Sequence, residues 1–142
     1  MVFVLRNEHV RDVYDMVQKA GEYTVSSVDQ RAHPERRKEV IARMRTGELE
    51  VCIASQVFQD GVNVPELASV VVATGYKSTI ATLQRLGRGA RKTDTKSEFE
   101  LWDIADGGVW GDRHTDARCK AYQREGYDVR IVSWDQVLAG DT

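Results

Sequence analysis

Gln84, Arg85, Leu86, Gly87, Arg88, Gly89, Ala90 and Arg91 form the stretch of this chain whose residue types best suit chemistry. A carboxylate or phosphate anion spreads its negative charge over several oxygens. A planar, permanently charged, two-pronged guanidinium is the side chain that stabilises it. Wound as a helix at about 100° per residue, Gln84, Arg88 and Arg91 share one narrow stripe. Thr79, Leu83, Leu86 and Ala90 lie on a second stripe that points well away and suits a core. Arg85 falls off the polar stripe. Gly87 and Gly89 each cost a helix roughly 1 kcal/mol relative to Ala, so they mark a helix end or a close approach to the backbone. From Leu67 to Thr93 the basic residues are Lys77, Arg85, Arg88, Arg91 and Lys92, with no acid among them. The guanidiniums therefore have no local carboxylate and suit an external anion. A solvated basic helix end accounts for many charge runs. It does not require the glutamine, both glycines and the arginine spacing together.

A second group spans residues 53–65, where an apolar run ends in Ser55 and a loop leads through Asp60 to Gly61, Val62, Asn63, Val64 and Pro65. A serine at a strand end, beside free backbone amides, can hold a nucleic-acid phosphate. Gly61 permits close approach, and Asn63 can bond a ribose hydroxyl. Taken alone, the segment reads equally as an ordinary strand and loop with a turn glycine. Arg6 and Asn7 follow the first apolar run in the same way. Gly75, Tyr76, Lys77 and Ser78 do not make a phosphate loop, because Tyr76 interrupts it and no upstream glycine fits. Lys77 and Ser78 are read instead as the start of the arginine-bearing helix, where a phosphate contact is available. Asp112, His114, Asp116 and Cys119 match no strong zinc spacing and read as a solvated helix start. Trp102, Trp110 and Trp134 read as packing residues rather than base-stacking platforms.

The elements that must position these residues follow from periodicity. Residues 2–5 are a continuous apolar run, as in a strand buried on both faces. Val10, Val13, Tyr14 and Val17 have helical spacing, and Gly21 is the expected stop. A second strand is expected at 23–26. Pro34 suits the first turn of a helix capped by His33, with Val40, Ile41 and Met44 inward and Gly47 beyond. Further strands are expected at 50–54, 68–74 and 98–105, then a helix over 114–124 and a closing strand at 129–132. Strands alternating with helices predict an α/β fold, a doubly wound, mostly parallel β-sheet flanked by helices. Its functional loops should lie at the carboxyl ends of the strands.

The chain has 142 residues, 42% hydrophobic and 30% charged, which suits one globular domain over 1–142. No apolar run reaches the roughly 20 residues of a membrane helix. Two cysteines, Cys52 and Cys119, give no disulfide framework and suit a reducing cytosol. The net charge of −2 is unevenly spread. Residues 31–45 hold Arg31, Arg36, Arg37, Lys38, Arg43 and Arg45 against Glu35 and Glu39, while acids gather between Asp94 and Asp116. A basic face on a mildly acidic domain is compatible with a phosphate-backbone partner.

The octet resembles motif VI of superfamily-two helicases and translocases, QRxGRxxR, at every defined position. Residues 53–65 resemble motif V and the opening strand with Arg6 and Asn7 resembles motif IV; His33 and the Arg-rich helix fit the segment between them. The motifs occur in helicase order over residues 2–106, and 107–142 form a closing segment that matches only loosely. Residues 73–78 and 101–106 are most similar to phage recombination and repair helicases of the UvsW type. The resemblance implies a RecA-like fold in which Arg88 and Arg91 are arginine fingers for ATP bound on another RecA-like domain. It places Asp60, Gly61, Asn63 and Gln84 near the nucleotide, and Arg6, Asn7, Ser55, Lys77 and Ser78 near nucleic acid. Arg85 would tie the motif to its own domain. Many relatives carry Asp where Asn63 stands.

The sequence contains no GxxxxGK followed by Ser or Thr and no DEAD-type box. ATP and Mg²⁺ are therefore expected to bind mainly on a missing N-terminal RecA-like domain, in cis or in trans. The expectation is the C-terminal motor domain of an ATP-dependent DNA helicase or translocase, inactive alone, working in a bacterial or phage-infected cytoplasm. Single-stranded or branched DNA is the expected partner, with RNA left open. The alternatives are a non-catalytic nucleic-acid-binding or regulatory module, and the motor of a restriction or remodelling complex.

Overall fold

Phe3 and Val4 are both buried although they are neighbours on one strand, which demands a packed layer on each side of the sheet. The computed structural model describes residues 1–55, 67–73, 99–105 and 107–140. The strands are β1 (Val2–Val4), β2 (Val25–Val28), β3 (Val51–Ala54), β4 (Ser69–Ala73) and β5 (Glu100–Asp103). They run in the order β2-β3-β1-β4-β5, and every pairing is parallel.

Helix α1 (Asn7–Ala20) covers one face, where Val10, Val13, Tyr14 and Val17 meet Val4 and Ile53. It stops at Gly21, whose φ of 73° is left-handed and suits glycine. On the other face α2 (Pro34–Arg45) and α3 (Val109–Arg124) pack Val40, Met44 and Tyr122 against Phe3, Cys52, Ala54, Val70 and Val72. Pro34 opens α2 as expected, and the His33 ring nitrogen Nδ1 accepts from the Glu35 amide at 3.4 Å. The doubly wound parallel sheet follows the sequence expectation.

Several boundaries differ. β2 begins at Val25 rather than 23. Tyr23 is exposed, and the Thr24 amide and hydroxyl both donate to Glu50 Oε2, at 2.8 and 3.1 Å, holding the chain just ahead of the strand. α3 starts at Val109, five residues before the expected 114, because Gly108 at φ 102° turns the chain into the helix and Gly111 is helical. Residues 129–132 form no strand. Val129 leans on the core beside Tyr127, whereas Ile131 is 86% exposed. In place of a closing strand comes a short helix, α4 (Trp134–Ala139). The Ser133 hydroxyl accepts from the Gln136 amide at 3.3 Å, and the Gln136 side chain accepts from the Ser133 amide at 2.9 Å. That reciprocal cap is a local signal, S-x-x-Q, that periodicity alone passes over.

Candidate nucleic-acid interface

The register of the sheet sets which loops share its carboxyl edge. Phe3 lies level with Ala54 and Val72, Val28 with Ala54, and Val4 with Ala73. The strands therefore end together, with Leu5, Asp29, Ser55 and Ile104 following β1, β2, β3 and β5, and with β4 ending at Ala73. β1 and β3 are adjacent, so Arg6 and Asn7 emerge beside Ser55.

Ser55 is completely buried, and its amide donates to the Val28 carbonyl at 3.2 Å. Its hydroxyl Oγ, by contrast, has no hydrogen-bond partner among the described residues. A buried hydroxyl without a partner costs about 1–3 kcal/mol, so such a group calls for an external partner or a strain role. Arg6 occupies the N-cap position of α1 in an extended conformation, and its exposed side chain makes no cap bond. Asn7 is half-buried at the first helical residue. The first turn of α1 has amide groups without an intrahelical partner, and the helix dipole gives that end positive character. An uncapped helix start, a guanidinium and an unpaired hydroxyl at adjacent strand exits are together suited to an anionic oxygen. Asp60, Gly61, Asn63, Lys77, Ser78, Gln84, Arg88 and Arg91 lie outside the described residues.

The Arg-rich helix is less free than its composition suggests. Arg36 pairs with Glu39 at 2.8 Å and donates to Ser26 Oγ at 2.9 Å. Lys38 pairs with Glu35 at 2.9 Å, and Arg43 approaches Glu48 at 3.8 Å. Arg37 Nη2 donates to the Gln30 carbonyl at 3.3 Å. Exposed pairs of this kind contribute about 0–1 kcal/mol, but they do answer much of the positive charge of α2.

Sequence reasoning passed over a buried polar cluster at the end of β5. Asp103 accepts from Arg118 Nε and Nη2 at 2.7 and 3.0 Å, and from the Tyr122 hydroxyl at 2.6 Å. Burial and this bond push the Tyr122 hydroxyl well above the ordinary tyrosine range. The available signal was the lone Asp103 within the apolar run 101–104, facing Arg118 and Tyr122 four residues apart on one helix face. Cys52 is sealed in the core, and burial raises its thiol to about 12.

Residues 1–93 match the helicase conserved C-terminal domain. The chain is 36% identical over 75 residues to the DNA 3'-5' translocase XPB2 of Sulfurisphaera tokodaii, covering 53% of this chain and 17% of that protein. It is 33% identical over 100 residues to the ATP-dependent DNA helicase uvsW of Enterobacteria phage T4, covering 69% of this chain and 20% of that one. The crystal structure of T4 UvsW superposes with a TM-score of 0.65 at 26% identity, over 87% of this chain and 29% of that chain. The C-terminal domain of the DEAD-box protein Dbp5 shares the fold, with a TM-score of 0.69 at 20% identity over 99% of this chain and 79% of that chain. The chain thus spans about a fifth of the length of these two curated relatives.

Proposed function

The chain belongs to the helicase conserved C-terminal domain family of superfamily two, and we propose that it is the C-terminal half of an ATP-driven DNA motor. In this reading one domain edge does two jobs. The exits of β1 and β3 hold the nucleic-acid backbone through Arg6, Asn7 and Ser55, joined by Lys77 and Ser78. The stretch between β3 and β4, through Asp60, Gly61 and Asn63, and the stretch between β4 and β5, through Gln84, Arg88 and Arg91, reach a nucleotide on a companion RecA-like domain.

The observation that carries the reading is the Ser55 hydroxyl, fully buried at the carboxyl edge with no partner among the described residues. A structural serine would have its bond satisfied within the fold. A phosphate oxygen accepting from Ser55, with Arg6 and the α1 amides beside it, removes the cost. The names of the relatives above make DNA the first substrate to test.

ATP supplies the phosphoryl group whose cleavage drives the motor. Gln84, Arg88 and Arg91 orient and neutralise it from one side of the cleft. Mg²⁺, like most of the nucleotide, is assigned to the companion domain. Isolated, the chain is expected not to turn over ATP.

The test is fluorescence anisotropy with labelled single-stranded and branched DNA at two salt concentrations. Binding should be weak, indifferent to sequence and steeply salt-dependent, because the contacts are to phosphates. Arg6→Ala should reduce the salt slope by about one. Affinity that survives high salt, or that selects one sequence, sinks the reading.

A further inference from the structure

Strand β5 pairs with β4 on one side and, among the described residues, with no strand on the other. A four-residue strand at a sheet edge opens readily unless something holds it. Its last residue, Asp103, is level with Val72 and, through Val72, with Phe3. Its carboxylate therefore sits one row beneath the strand exits that form the candidate interface.

Three residues of α3 converge there. Arg118, only 1% exposed, makes the two-pronged contact with Asp103 at 2.7 and 3.0 Å. The same guanidinium reaches the Thr115 hydroxyl at 3.4 Å, and Tyr122 closes the group with its 2.6 Å bond to Asp103. The Tyr122 ring is fixed in turn by Tyr127, edge-on at 6.3 Å between centroids and 81° between planes. Tyr127 is held there by its amide bond to the Tyr122 carbonyl at 3.1 Å, across Gly126 at φ 87°.

Burying an ion pair is a poor route to stability, since an apolar pair of equal volume serves as well or better. What the fork adds is geometry: a bidentate guanidinium–carboxylate pair permits one rotation and one slide of its two carriers. Here the carriers are the end of β5 and the middle of α3. In sequence, the stretch holding Arg88 and Arg91 is strung between the end of β4 and the start of β5. We propose that Arg118 is a positioning residue for phosphoryl transfer: with Asp103 and Tyr122 it clamps β5 to α3 and so sets the anchor from which the arginines reach the nucleotide. It acts through the strand and not on the nucleotide. The proposal rests on the finger assignment made above.

Arg118→Lys keeps the charge but loses the fork, and Tyr122→Phe removes one hydroxyl only, so it serves if the lysine variant fails to fold. Both are placed in the intact two-domain protein and compared with Arg88→Ala. A displacement of about 1 Å at a catalytic group costs on the order of 100-fold. Either variant should therefore lower kcat by roughly 10- to 100-fold with KM for ATP and the DNA Kd unchanged. Hydrogen exchange on the same proteins should quicken at 101–104 while β1 and β3 keep their protection. Wild-type turnover despite faster exchange in β5 overturns the proposal. So does an equal loss of DNA affinity with exchange rising across the whole sheet, which marks an ordinary core contact. If Arg88→Ala itself leaves turnover intact, the finger assignment falls and the proposal with it, whereas the exchange pattern still reports whether the clamp holds β5.

Discussion

Replacing Ser55 with Ala separates a functional hydroxyl from a structural one. The side chain is fully buried and Oγ has no partner among the described residues. In the free protein that hydroxyl carries a desolvation cost of about 1–3 kcal/mol without a compensating bond. Alanine removes the cost and leaves a void of one small atom, while the Ser55 amide bond to Val28 at 3.2 Å is untouched. The net expectation is a free chain more stable by about 1 kcal/mol, seen as a rise in Tm of roughly 3 °C. DNA binding should move the opposite way. A hydrogen bond to a charged oxygen contributes about 1.5–3 kcal/mol, so affinity should fall by roughly 10- to 100-fold. The salt slope should not change, because no charge is removed. Urea denaturation of the free chain and anisotropy at several salt concentrations read both effects. A variant that loses more than about 1 kcal/mol of stability while binding DNA normally would refute the reasoning, since the hydroxyl would then be holding the fold.

Further expectations follow from the same geometry and its proposed use. In the two-domain protein Arg88→Ala or Arg91→Ala should cut kcat for ATP by on the order of 10³–10⁵, with nucleotide affinity much less affected; Lys should rescue poorly because it lacks the planar fork. Arg85→Ala should appear as lost thermal stability instead, and the opposite ranking in steady-state kinetics would overturn the assignment. The Tyr122 hydroxyl is raised by burial and then by its bond to Asp103. The unfolded chain therefore ionises it first, so its contribution is complete below the ordinary tyrosine value of 10 and declines as pH climbs above it. Equilibrium unfolding from neutral to alkaline pH should show that decline, and Tyr122→Phe should flatten it; an unchanged pH profile counts against the buried bond. Cys52, with its thiol raised to about 12 by burial, should resist alkylation at mildly alkaline pH while the partly exposed Cys119 reacts. Peptide mass spectrometry showing equal labelling in the folded chain would contradict the core placement.

Much of the fold was written locally. The apolar spacing of Val10, Val13, Tyr14 and Val17, stopped by Gly21, determined α1. Pro34 and His33 determined the start of α2, and the apolar runs determined β1, β3 and β4. These signals depend on neighbours within a turn or two, so the sequence alone carries them. The motif order placed the chain in its family for a similar reason, because side-chain type and spacing are properties of the string. The Ser55 strand end was also legible, as a small polar residue closing an apolar run.

Other features were settled only when distant segments met. The order β2-β3-β1-β4-β5 depends on which strands pair, and no single strand encodes that. Residues 129–132 have strand-like composition, yet they form none, because composition provides no neighbour for Ile131. The charge of α2 looked available in sequence, but Glu39, Glu35 and the Gln30 carbonyl take up Arg36, Lys38 and Arg37 once the helix is wound and packed. Asp103, Arg118 and Tyr122 looked unremarkable 15 and 19 residues apart. Tertiary packing excluded water from between them, and in that low-dielectric setting an ordinary acid, base and phenol became a single forked clamp. That the Ser55 hydroxyl has no partner among the described residues is likewise a tertiary fact, since only the folded chain decides which groups come within hydrogen-bonding reach of a buried hydroxyl.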